Sequence, residues 1–177
     1  METKKPKMTK DTVPEGFTLA LAAVDALPVV FFSLAALAFG VYLASPVFLI
    51  GAALATFAGA AKVAWKFIVV LRRKNVWWMF RQMRILMPAA MLLMVLAVVC
   101  GWGDFHAGLV WQAMRTPPAA WGFLAWALGM ALMIALACAL DSADPKSNKI
   151  EQGVNAAAQL CLLLGVLAML VASNVVQ

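Results

Sequence analysis

The chain has 177 residues, of which 65% are hydrophobic and 12% are charged, against roughly 45 to 50% and about 25% in an ordinary soluble domain. A domain of about 150 residues buries only about 70% of the surface that its unfolded chain exposes, so a soluble fold would leave much apolar surface in water. This composition excludes a disordered chain or a disulfide scaffold and predicts that lipid surrounds the protein.

Five apolar segments are long enough to span a membrane, which takes about 20 residues of helix. The first follows several lysines, as in a signal peptide, but its apolar run exceeds the roughly 7 to 15 residues of such peptides. We therefore predict an all-α integral membrane protein with a basic tail over 1–16 and one membrane domain over 17–177. The predicted helices of this five-transmembrane-helix bundle cover 17–42, 46–71, 85–103, 117–140 and 154–173.

Basic residues lie between these apolar segments, where they act as a topology signal. A short uncharged hairpin, Ala44-Ser45-Pro46, joins the first two helices, and Arg115 is the only basic residue assigned to the outer side. The positive-inside rule then places the N-terminus in the cytoplasm and the C-terminus outside, in the cell inner (plasma) membrane. Although the net charge is +6, this distribution gives no reason to expect a nucleic-acid partner.

The connection between the second and third helices mixes cations with aromatic residues, which suits contact with anionic lipid headgroups. It is either a short helix along the membrane surface or an extension of the third helix. Trp77 and Trp78 would anchor this side, and Trp102, Trp111 and Trp121 the opposite side. The cations predicted to contact lipid are Arg72, Arg73, Lys74, Arg81 and Arg84.

Two ionisable residues lie at membrane depth. Counting equal numbers of residues away from the hairpin places Asp25 and Lys62 at the same level, roughly 12 to 14 Å from the cytoplasmic ends of their helices. Because a lone charge there costs at least ~2.5 to 3.5 kcal/mol, we predict that the two form an ion pair or line a hydrated cavity. Lys66 shares the Lys62 face but is close enough to the helix end to extend to the interface. Pro28 opens the backbone hydrogen bonding beside Asp25.

The fifth helix carries a polar stripe, in which Glu151, Asn155 and Gln159 are spaced by four residues. Glu151 has a structural explanation as the partner of an Asn148 cap, and Asp144-Pro145 offers an alternative helix start. Asn155 and Gln159 lie deeper and need partners, either as interhelical contacts or as ligands for a solute.

Two further patterns concern packing. Gly51, Ala55 and Gly59 form a small-residue face that permits the close approach of another helix. A stripe of methionines on the third helix would suit a soft cation, but its spacing is also that of ordinary helix packing, which we favour. The methionines are Met83, Met87, Met91 and Met94.

Motifs for catalysis or cofactor binding are not found in the sequence. The three cysteines are not in C-x-x-C spacing, and the single histidine, His106, makes a zinc or haem site improbable. Phosphate-binding loops and hydrolase motifs are missing as well. We therefore predict no metal and no cofactor. An intramembrane enzyme is a third hypothesis, but it needs a nucleophile, a base or a metal that the sequence does not offer.

The leading hypothesis is binding or transport of a small solute or ion through a cytoplasm-facing polar cavity. Asp25 would be the acceptor or proton carrier, Lys62 its counter-charge, and Asn155 and Gln159 neutral ligands, with Lys66 and Glu151 in secondary positions. The alternative is a non-transporting accessory subunit of a membrane complex, which would use the basic connection and the small-residue face. Because five helices leave little room for a wide passage, a conducting form would need a homodimer or a partner subunit.

Overall fold

A computed structural model of the chain describes residues 18–101, 107–139 and 145–176, and the regular elements in these ranges are α-helices. Five helices in the described ranges are long and apolar enough to span a membrane, which confirms the predicted number. The helices are α1 (Leu19–Tyr42), α2 (Pro46–Arg72), α3 (Trp77–Arg81), α4 (Met83–Cys100), α5 (Ala107–Arg115), α6 (Ala119–Ala139) and α7 (Pro145–Val176).

The boundaries differ from the predicted ones in three places. The short helix α3 is separated from α4 at Gln82, so the basic connection forms a helix of its own. The helix α5 is not among the predicted elements, because its nine residues are too few to span a membrane. The last helix begins at Pro145, the alternative start. The predicted tail over 1–16, Trp102 and His106 lie outside the described residues.

Local signals explain the turn between α1 and α2. The Ser45 hydroxyl accepts a hydrogen bond from the amide of Phe48 at 3.3 Å, and Pro46 occupies the first position of α2, where its missing amide hydrogen is not needed. Ala44 adopts a left-handed conformation with φ 48°. The two helices are therefore antiparallel neighbours. We call the end of the bundle at Leu43–Ser45 the hairpin side and the end at 72–84 the basic side.

The five spans pack as a row in the order α4, α2, α1, α7, α6, each against the next. The short helices lie at the ends of the bundle, α3 against α2 and α4 and α5 against α6 and α7. In the described ranges no Cα atom of α4 lies within 8 Å of one in α6, although both helices line the same cavity. The row is therefore curved into an open ring.

Glycines set the closest helix approaches. A Cβ atom on Gly122 of α6 would lie 2.5 Å from the Cα atom of Gly165 of α7, so these two backbones are in direct contact. On the predicted small-residue face, Gly51 packs against Met94 of α4 and Gly59 against Val29 of α1. That face is used within the bundle, by two different neighbours.

The outer surface suits lipid. Large apolar side chains are exposed along all the spans. Trp78, at the basic side, and Trp111 and Trp121, near the hairpin side, are also exposed, as interfacial anchors are. The protein is therefore a multi-pass helical membrane protein.

Candidate functional site

A cavity of about 760 Å³ lies inside the open ring and is lined by all five spans. Most of its wall consists of methionine, phenylalanine, valine and alanine side chains, so it differs from the polar cavity that the sequence suggested. Its polar groups are few and come mainly from three helices. They are Asp25 of α1, Lys62 and Lys66 of α2, and Gln152, Asn155 and Gln159 of α7.

Lys66 forms the ion pair with Asp25. The prediction that Lys62 is the partner is wrong in this respect, and so is the prediction that Lys66 extends to the interface. Asp25 and Lys66 are only 5% and 6% exposed. One carboxylate oxygen, Oδ2, accepts the hydrogen bond from Lys66, and Oδ1 has no hydrogen-bond partner among the described residues.

Helix geometry explains why Lys66 is the partner. Val29 lies directly opposite Gly59, so Asp25, one turn nearer the basic side, is level with the part of α2 between Lys62 and Lys66. Side chains on a helix lean toward its N-terminus. In this antiparallel pair, Asp25 therefore leans toward the basic side while both lysines lean toward the hairpin side. The Lys66 side chain therefore points toward the Asp25 carboxylate, and the Lys62 side chain points away from it, toward the hairpin side.

Lys62 lines the cavity without a counter-charge. Within the described ranges it makes no ion pair, although it is half-buried. The sequence thus identified the correct cavity residue but gave it the wrong relationship to Asp25. Lys66 is paired with Asp25, so the two lysines that line the cavity differ in their contacts within the described ranges.

Only two of the three residues of the predicted polar stripe on α7 line the cavity. The Gln159 side-chain amide donates hydrogen bonds to Oδ1 of Asn155 and to the sulfur of Met130 on α6, both at 3.4 Å. Its carbonyl oxygen, Oε1, is buried without a partner. Asn155 and Gln159 line the cavity, whereas Glu151 does not, and Gln152 takes its place in the wall.

Trp126 is a cavity residue that the sequence analysis missed. It lies in the middle of α6 and lines the cavity, and its indole nitrogen, Nε1, is buried without a hydrogen-bond partner. The available signal was its position, since tryptophans of membrane helices prefer the interfaces and this one is about two turns inside the helix.

Methionines make the apolar wall adaptable. All four residues of the predicted stripe line the cavity, and Met114 of α5 and Met130 of α6 join them. Unbranched thioether side chains have several low-energy conformations and fill irregular shapes well. Such a wall suits apolar molecules of more than one shape.

At the basic side of the bundle, α2 is in contact with the connection that follows it. The Gln82 amide donates a hydrogen bond to the carbonyl oxygen of Ala58 at 3.0 Å, and the indole of the buried Trp65 donates one to Asn75 at 3.0 Å. Phe80 packs on Trp65 with 5.0 Å between ring centroids, and the Arg84 guanidinium lies over the Phe80 ring. The five predicted lipid-contact cations, including Arg84, have exposed side chains.

The two ends of the row, α4 and α6, both line the cavity, and in the described ranges no Cα atoms of these two helices lie within 8 Å of each other. Met91, Val95 and Val99 of α4 line the cavity and are also exposed, which is expected of residues at an opening. These residues belong to a helix that is long and apolar enough to span a membrane, so the gap between α4 and α6 runs along the length of two candidate spans.

No protein-family model matches the chain, and no curated protein or solved structure matches it. Function is therefore inferred from the cavity and the side chains that line it.

Proposed function

We propose that this multi-pass membrane protein binds a small organic solute in the cavity between its spans. Lys62, Asn155 and Gln159 would meet the polar part of the solute, together with the Oδ1 atom of Asp25, and Lys66 would hold Asp25 in position. The volume of about 760 Å³ lies within the range of roughly 300 to 1,000 Å³ that is typical of small-molecule sites.

One observation carries this proposal. Three residues that line the cavity, on three different helices, each carry a buried polar atom without a hydrogen-bond partner among the described residues: Oδ1 of Asp25, Oε1 of Gln159 and Nε1 of Trp126. Folded proteins satisfy the large majority of their buried polar atoms, and each unsatisfied one costs ~1 to 3 kcal/mol. A bound molecule that offers both donors and acceptors would satisfy these atoms once the three side chains turn toward the cavity.

Photolabelling tests the proposal. The full chain in phosphatidylcholine nanodiscs is irradiated with a diazirine-bearing long-chain alcohol, and the labelled residues are identified by mass spectrometry. We expect saturable labelling of cavity residues such as Met87, which an excess of the unreactive alcohol suppresses. Labelling of lipid-facing residues should rise linearly with concentration instead.

A matched pair of variants distinguishes the cavity from the outer surface. Met91 lines the cavity, and the neighbouring Leu92 is exposed and does not line it. Met91→Trp should reduce the saturable labelling, and Leu92→Trp should leave it unchanged. Labelling that is linear everywhere and equal in both variants would rule out the binding site.

Movement of the solute across the membrane is the second step of the proposal. A solute that displaces one partner of the Asp25 and Lys66 pair would leave a charge unpaired, and such a charge can bias the position of a helix. The probe found to label the cavity is then measured for flux in proteoliposomes. Flux should be lost in Asp25→Asn and Lys62→Met, and unchanged flux in both variants would leave binding without transport.

The accessory-subunit hypothesis has less support. It relied on the small-residue face of α2, where Gly51 and Gly59 already pack against α4 and α1. The exposed basic connection remains available to lipid or to a partner.

A further inference from the structure

Resting on the proposed binding function, we infer that the solute is an amphipathic anion. It has an apolar body and one negatively charged head group, and it enters from the lipid through the opening between α4 and α6. The charges, hydrogen-bonding atoms and apolar wall of the cavity each support one part of this description.

The charge balance of the wall favours an anion. Among the described lining residues the ionisable ones are Asp25, Lys62 and Lys66. Asp25 and Lys66 form an ion pair, which leaves the positive charge of Lys62 in excess. A charge at membrane depth is costly without a counter-charge. A cationic solute would increase this excess positive charge, and a neutral solute would leave it unchanged. A singly charged anion would neutralise it.

The donors of the wall suit the same head group. The Lys62 ammonium carries three donor hydrogens, and Trp126 has a buried N–H group without a partner in the described residues, which would reach a head group once the indole turns toward the cavity. These residues lie on α2 and α6, which do not contact each other in the described ranges, so they approach the cavity from separate walls. The unpartnered oxygens of Asp25 and Gln159 accept hydrogen bonds from a hydroxyl of the solute or from water that accompanies it.

The rest of the wall suits an apolar body. Met83, Met87, Met91 and Met94 run along α4 from the basic side toward the hairpin side, and Phe39 and Phe48 close the wall farther along. An alkyl or isoprenoid chain would lie along this stripe. Since the gap between α4 and α6 runs along two candidate spans, the chain can enter through it without crossing water.

Three photoreactive probes with one common alkyl chain test the inference, with a carboxylate, an alcohol or an ammonium as head group. The full chain in phosphatidylcholine nanodiscs is titrated with each probe, and labelling of Met87 and Met91 is followed. We expect the carboxylate to half-saturate the cavity at a concentration at least about tenfold below the alcohol, the difference expected for one hydrogen bond to a charged group. The ammonium should be the weakest.

Charge variants show whether Lys62 is responsible. Lys62→Gln should remove the difference between carboxylate and alcohol, and Lys62→Arg should keep it, because guanidinium is always charged. Lys149→Gln is the control, since it removes the same charge from an exposed position outside the cavity wall. Equal half-saturation by carboxylate and alcohol in the unmodified chain, or a preference unchanged in Lys62→Gln, would overturn the inference and leave the binding site intact. If no probe labels the cavity saturably, the proposed function fails as well.

Nanodiscs that contain phosphatidylglycerol identify the source of the anion. If this lipid suppresses carboxylate labelling in the native chain but not in Lys62→Gln, the site holds the head group of an anionic phospholipid. If labelling is unchanged, the site selects a single-chain anion. Either result supports an amphipathic anion that is bound through Lys62.

Discussion

The Lys66 ammonium pairs with the Asp25 carboxylate, whereas Lys62, one helical turn away on α2, lines the same cavity and makes no ion pair in the described ranges. The two lysines of α2 are therefore not equivalent. Lys66 keeps a carboxylate charged and oriented where lipid would otherwise disfavour it. Lys62 presents a cation to the cavity. The difference arises from the lean of side chains along two antiparallel helices.

Replacing Lys66 should destabilise the protein more than replacing Lys62. Removing one partner of a buried ion pair leaves an uncompensated charge, which typically costs ~3 to 5 kcal/mol. We therefore expect Lys66→Met to lower the free energy of unfolding by about this amount, and Lys62→Met to lower it little or not at all. Reversible unfolding in mixed micelles, followed by far-UV circular dichroism, measures both.

The double variant Asp25→Leu/Lys66→Met is the control for this first prediction. Replacing both members of a buried pair with apolar side chains is often neutral or stabilising, so the double variant should recover most of the loss. A loss in Lys62→Met equal to that in Lys66→Met would contradict the assignment of roles.

The number and approximate limits of the spans could be predicted because lipid imposes one dominant requirement, a helix of about 20 apolar residues. The hairpin could be predicted because Ser45 and Pro46 act locally. The helix α5 could not be predicted in this way, since its nine residues are too few to meet that requirement. The order of the spans in the row depends on tertiary contacts such as that between Gly122 and Gly165, which do not follow from the sequence.

For the candidate site, the sequence indicated which polar residues lie near one another better than it indicated which of them are in contact. Asp25, Lys62, Asn155 and Gln159 line one cavity, as ionisable and amide residues at membrane depth led us to expect. Depth alone did not settle which lysine reaches Asp25, because a lysine side chain is longer than the rise of one helical turn. The apolar character of the cavity depends on methionines from three helices, whose convergence requires the fold.

Gly122→Ala should destabilise the contact between α6 and α7. The added Cβ atom would lie 2.5 Å from the Cα atom of Gly165 and 2.7 Å from its nitrogen. These backbone atoms cannot move without separating the helices, and overpacking of this kind costs ~1 to 3 kcal/mol. Reversible unfolding in mixed micelles, followed by far-UV circular dichroism, measures this loss in the free energy of unfolding.

Gly153→Ala is the matched control, because nothing lies within 4 Å of its added Cβ atom in α7. It should be neutral or stabilise the helix by up to ~1 kcal/mol, the difference in helix propensity. Equal effects of the two alanines would mean that the close contact of α6 and α7 is not formed.

Two tryptophans should respond differently to replacement by phenylalanine. Trp65 is almost fully buried, and its indole donates to Asn75 at 3.0 Å, so Trp65→Phe should cost ~1 kcal/mol or more in the free energy of unfolding. Trp126→Phe removes a donor that has no partner in the protein, so stability should change little. Labelling of the cavity by the carboxylate probe should weaken in Trp126→Phe alone. A large loss of stability in Trp126→Phe would indicate that its indole makes a structural contact.

The opening between α4 and α6 can be tested by cross-linking in a variant without native cysteines. No Cα pair joins these helices within 8 Å in the described ranges, whereas disulfides need Cα atoms within about 7 Å. Cysteines at Met87 and Trp126 should therefore remain reduced under a mild oxidant. Cysteines at Gly129 and Ala158, whose Cβ atoms would lie 2.7 Å apart, should cross-link after a small adjustment. Mobility on denaturing gels, with and without reductant, distinguishes the two pairs, and rapid cross-linking of the first pair would show that the ring is closed.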